Sequence, residues 1–270
     1  MKKRSFVILL AIAAVPLLLG VSGGTPSSPG YRFARQSAPY TETVAAWMAQ
    51  NSVEKVAETL TVSPASVEQV RSVFRLMGRR LGTLPSTTSS SSSGIVQPVS
   101  VSSEPLPSDR DLAEQQPAVE ERIQRQVATV LHRRGVGFKV GDGSFLFPPV
   151  LFRFRDLPDL LVVSPRSRIE RLGTVLLTPN MPLTDAVKLE GEVSSGGYSA
   201  LVTHIGGLGV YPSMVPDNSD LRWTTRTVAH EWAHQFLALR PLGWRYAFGA
   251  ERDPRMVMLN ETAAEVIGRE

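Results

Sequence analysis

Cysteine is absent from the 270 residues. This excludes disulfides, thiolate metal ligands and a cysteine-linked lipid, so packing and any bound metal must hold the folded part together. Excess charge is scarce as well. The formal charge is +4, but Lys2, Lys3 and Arg4 supply three of those charges and leave 26 of the 29 basic residues against 25 acidic ones. No polyanionic partner is implied, and nucleic-acid binding is not expected. Nor does any apolar run reach the ~20 residues of a membrane-spanning helix. The longest, Phe6 to Val21, has 16 residues and contains Pro16. A hydrophobic content of 42% is nevertheless enough for a real core, in one large domain or two small ones.

The N-terminus has the order of an export signal. Basic residues precede the apolar run, and Ser22, Gly23 and Gly24 follow it. Residues 1–24 are expected to be a signal peptide cut after Ser22 or Gly24 or, if retained, a membrane anchor through residues 5–21 with the rest of the chain outside. Either way the protein is expected to be exported, and secreted or membrane-anchored.

From Thr41 to Leu81, apolar residues recur at helical spacing in three stripes: Val44, Trp47 and Met48; Val53, Val56 and Leu60; Val70, Val73, Phe74 and Met77. Ser63 and Pro64 read as a helix cap followed by proline in the first turn. Residues 25–84 are expected to form a separate small helical unit, either a spacer packed on itself or on its neighbour, or a propeptide or partner-docking module. The Ser- and Pro-rich stretch 85–107 cannot bury enough apolar surface to offset its ordering entropy, and reads as a linker.

Residues 108–270 make the main domain, of the α+β class. An amphipathic helix over 108–134 sets Val119, Ile123, Val127, Val130 and Leu131 on one face, with Glu120, Glu121, Arg122 and Arg125 elsewhere; Gly135 stops it. His132 reads as a charge at that helix's C-terminus. Strands are expected over 145–154, 160–163, 174–177, 198–204 and 208–212, with a crossing helix over 182–193. Asn218, Ser219 and Asp220 cap a helix that runs to about Leu239, and Asp253 with Pro254 opens the last one.

The chemistry lies in those two helices. His230-Glu231-Trp232-Ala233-His234 places two imidazoles four residues apart, hence on one face, about 5 to 6 Å apart at Cβ. That spacing suits one metal ion, with Glu231 turned far enough round the helix to reach a water on the metal. A catalytic zinc site usually needs a third protein ligand, and Asn260-Glu261-Thr262-Ala263-Ala264-Glu265 follows downstream.

Together the two motifs resemble the gluzincin, or thermolysin-like, zinc metallopeptidases over about residues 195 to 270. Metzincins fit less well, with Leu237 where their glycine belongs and Arg240 where their third histidine belongs. Deformylase-like sites need the cysteine this chain lacks. The resemblance implies Zn2+ held by His230, His234 and Glu261, with Glu231 as general base and Glu265 hydrogen-bonded to a zinc-binding histidine, His230. It implies a zincin-like fold: a small mixed sheet whose edge strand takes up a peptide or protein substrate, packed on the helix bearing the histidines and followed by a helix bearing the third ligand. Residues 204–211 are the candidate edge strand or its flanking loop. His204 reads as a polar strand end, with substrate contact as the alternative.

The family's tyrosine and further histidine beyond the zinc motif are met only in part. No histidine follows His234, so Tyr246 is the candidate electrophile, with Arg245 or Arg252 as substitutes and packing of Tyr246 as the alternative. Only nine residues follow Glu261, which matches a minimal or truncated member whose cleft the N-terminal helices or a membrane partner would complete. No residue is assignable to hold a free amino group, so an endopeptidase is preferred to an aminopeptidase. The competing function is a non-catalytic exported protein with a structural or vestigial zinc site and a partner-binding helical unit. The oligomeric state is not legible.

Overall fold

Apolar side chains four residues apart draw the helices together. In the computed structural model, which describes residues 33, 36–42, 44–82, 109–141, 143–168, 170–243 and 254–269, helix α1 spans Val44–Thr61, α2 Val67–Arg80 and α3 Asp109–Arg133. Helix α3 buries Val119, Ile123, Val127 and Leu131, as the periodicity predicts. Val130 shares that stripe but is exposed, because it lines an open groove beside Pro64 where α2 has not yet begun. Gly135, at φ 73°, ends the helix in the left-handed conformation that glycine tolerates best. Helix α2 is capped by Ser66 and Gln69, which satisfy each other's backbone N–H groups, so the expected cap at Ser63 and Pro64 is displaced by three residues.

The helices of 44–82, expected as a separate unit, share their core with the rest of the chain. Val70, Val73, Phe74 and Met77 of α2 lie in one buried cluster with α3 and with Val228, Trp232 and Phe236 from the histidine-bearing region. The first two expected stripes belong to the single helix α1, which buries Met48, Ser52 and Lys55 and leaves Val53 and Leu60 exposed. Its docking is polar. Lys55 is 1% exposed and pairs with Glu120 of α3, which was expected on the polar face but is completely buried. Glu120 also accepts the Phe154 N–H at 2.7 Å, and Arg153 donates to Glu58 of α1 at 2.8 Å. Lys55→Ala would strand the Glu120 charge, a loss of about 3–5 kcal/mol. Urea unfolding should show the midpoint falling accordingly, and an unchanged midpoint would mean the pair is not closed in solution.

The strands form three small sheets rather than one mixed sheet. Strands β1 (Phe138–Val140) and β2 (Gly143–Phe145) make a hairpin, β3 (Phe152–Phe154) pairs in parallel with β7 (Ser213–Val215), and β4 (Pro158–Pro165) lies between β5 (Gly173–Pro179) and β6 (Tyr198–Thr203) in an antiparallel sheet. Pro148, Pro149, Pro158 and Pro212 lack the N–H that a longer ladder would need. Helix α4 (Leu183–Ser195) packs Leu189 and Val193 on Leu161, Val163 and Leu177 of that sheet. The chain then crosses residues 204–212 to β7, α5 (Leu221–Ala238) and α6 (Pro254–Arg269). The result is an α+β arrangement. Among the described residues no helix is long and apolar enough to cross a membrane. Residues 1–24, the 85–107 stretch and residues 244–253 lie outside the described residues.

Candidate metal centre

Helix α5 starts at Asp220, whose side chain accepts the Arg222 N–H at 2.8 Å, while Asn218 accepts the Asp220 N–H at 2.7 Å. One face is sealed into the core by Val228, Trp232 and Phe236, and the Trp232 indole N–H donates to the Pro148 carbonyl at 2.8 Å. Fixing that face fixes the adjacent one, where His230 and His234 project. Their Nε2 atoms face each other at 3.1 Å.

Helix α6 supplies the rest. Ala264 is fully buried, and Gly268 meets α5 so closely that a Cβ there would stand 3.1 Å from the Arg226 carbonyl and 3.3 Å from the His230 Cβ. This approach brings Glu261 Oε2 to 3.7 Å from His230 Nε2 and 3.5 Å from His234 Nε2. Ligand atoms held about 2.0–2.2 Å from a tetrahedral ion stand about 3.3–3.6 Å apart; these three donors, 3.1, 3.5 and 3.7 Å apart, come close to that spacing without matching it at every edge. The Glu261 side chain is 47% exposed. Among the described residues this is the one group of three or more metal-ligating side chains so placed.

One outer hydrogen bond orients the His234 imidazole, and a carboxylate stands near that of His230. His234 Nδ1 donates to Asn260 Oδ1 at 2.7 Å, and Asn260 is fully buried. Glu265 Oε2 lies 3.6 Å from His230 Nδ1, near enough for charge attraction but too long for the hydrogen bond the resemblance implies. Its other oxygen is held by Arg226 and, at 2.8 Å, by Arg269. Burial works against protonation of His234, but Glu261, Glu231 and Asn260 together raise its pKa above the ordinary imidazole value. Asn260→Ala should weaken metal affinity by about 10–100-fold, read by competition with a chromophoric chelator. An unchanged affinity would make Asn260 a packing residue.

Glu231 sits beside the donors and is 8% exposed. Burial pushes its carboxyl pKa up, His234 and His230 pull it down, and Glu261 adds to the rise. A backbone segment lies directly over it. A Cβ on Gly207 would overlap the Glu231 carboxylate, and one on Gly209 would stand 3.1 Å from the His234 Cβ. The same segment is tied to α5 by Gln235, whose Nε2 donates to the Val210 carbonyl and, at 2.8 Å, to Ser213 Oγ. It is tied to α1 by Ser52, which donates to the Tyr211 carbonyl at 2.8 Å.

The structure thus brings together His230, Glu231, His234, Glu261 and Glu265. Tyr246, Arg245 and Arg252 lie outside the described residues. His132 Nε2 stands 3.2 Å from the Ser144 carbonyl, far along the chain from the metal-ligating group. The roles of Asn260, Gln235, Gly207, Gly209 and Gly268 escape sequence reasoning. Only Asn260 carries a signal, its place directly before Glu261. No family model, curated protein or solved structure matches the chain.

Proposed function

We propose that the protein is an exported zinc metallopeptidase of gluzincin type that hydrolyses peptide bonds, with endopeptidase action preferred. The observation carrying this reading is the convergence of His230 Nε2, His234 Nε2 and Glu261 Oε2 within 4.8 Å of one another beside a buried carboxylate. His230, His234 and Glu261 would hold the ion. When bound, zinc lowers the pKa of a water to about 7 and polarises a carbonyl. Glu231 takes the proton of the attacking water and delivers it to the leaving amine; its burial, which raises its proton affinity, suits it to both steps. Asn260 holds the His234 imidazole by a hydrogen bond, and Glu265 adds a negative charge beside His230.

The test combines metal analysis with casein and peptide-library cleavage. One zinc per chain is expected, with cleavage lost on chelation and restored by added Zn2+. Stoichiometric zinc with no cleavage under any condition would favour the alternative, a non-catalytic protein with a structural or vestigial site.

A further inference from the structure

We propose that His204, held by the buried Asp159, is a substrate-positioning residue that receives an extended peptide on its way to Glu231. The proposal rests on the peptidase reading. Asp159 lies on β4 with its side chain 3% exposed, and both its oxygens are used: Oδ2 accepts the Met181 N–H at 2.9 Å, and Oδ1 faces His204 Nδ1 at 2.5 Å. A buried carboxylate needs such partners. The His204 side chain, however, is 87% exposed. A histidine serving only to satisfy Asp159 has no need to stand out in solvent. The ring is fixed at Nδ1, and its Nε2 edge has no partner among the described residues.

Its position gives that edge a use. Strand β6 pairs with β4 on one side, and no strand pairs with its other side among the described residues. The Val202 N–H donates to Glu190 Oε1 at 2.7 Å, so it points away from β4, as do the backbone groups of the alternate residues Tyr198 and Ala200. Arg166 donates to the Tyr198 carbonyl at 3.1 Å. The protein's own side chains therefore occupy part of this edge, and an added strand would find fewer main-chain partners than a bare edge offers.

The next polar group along the path is His204. Three residues later comes Gly207, against the Glu231 carboxylate. Three residues span at most about 10–11 Å, and an extended peptide advances about 3.3 Å per residue. An extended substrate with its scissile bond at Glu231, running back along this segment, would reach His204 with a residue two or three positions away.

The experiment uses the full chain and a peptide series with a constant scissile pair, lengthened one residue at a time on either side. His204→Ala should raise KM about tenfold for peptides long enough to reach it, leaving kcat and the shortest peptides unchanged. Asp159→Ala, which removes both acceptors and releases the ring, should shift KM in the same direction. In the Glu231→Gln background, binding of the long peptides followed by fluorescence anisotropy should weaken by the same factor when His204 is replaced. A uniform effect at every length, or no effect, would overturn the proposal while leaving the peptidase reading intact. A wild-type protein that neither cleaves nor binds any peptide would overturn both.

Discussion

Glu231→Gln is expected to retain zinc and lose peptide hydrolysis by about 10³-fold or more, since proton transfer by a positioned group contributes about 10²–10⁴. Glutamine fills the same space and can still accept a hydrogen bond, but it cannot take a proton near neutral pH. The substitution also replaces a buried carboxylate by a neutral amide, so the fold should not suffer. Thermal unfolding and metal content, measured beside kcat, separate loss of the base from loss of the site. Retained zinc with undiminished kcat would remove Glu231 from the mechanism, whereas loss of zinc would assign it a ligand role instead.

Gly207→Ala should also damage activity, although the added group is a single methyl. Its Cβ would overlap the carboxylate oxygen of Glu231 and stand 2.7 Å from Cδ and 2.9 Å from Cγ, so either the side chain turns or the segment lifts. The segment is pinned by Gln235 from α5 and by Ser52 from α1, so the side chain is expected to give way. Misplacement by about 1 Å can cost about 10²-fold in rate. kcat/KM should therefore fall by about that factor while zinc stoichiometry stays at one per chain. Gly206→Ala is the control, because its nearest neighbour is a Trp223 ring carbon at 4.0 Å. Equal losses in the two variants would point to backbone freedom rather than to the Glu231 contact.

The glycines show where sequence reading stops. They lie between the expected strands 198–204 and 208–212, and nothing in the chain distinguishes Gly207, which makes room for a carboxylate 24 positions away, from Gly206, which does not. Gly268 is similar: its lack of a side chain lets α6 approach His230, and only the packed helix pair reveals it. The periodicity sets Glu120 off the apolar face of its helix, and it assigns Lys55 no place in the core. They bury each other, and in doing so join the N-terminal helices to the core rather than leaving them separate.

By itself the sequence determined the helix that carries His230 and His234, the helix that carries Glu261 and Glu265, the amphipathic helix before them and the α+β class, because periodicity and capping act over a few residues. Which oxygen stands 3.5 Å from His234, that Asn260 holds the same imidazole, that Glu265 stops short of hydrogen bonding His230, and that Gly207 and Gly209 lie against Glu231 were decided only by tertiary structure. Those placements depend on contacts between segments far apart in the chain, where burial of Trp232 and Ala264 and the close approach at Gly268 set distances that no local pattern encodes.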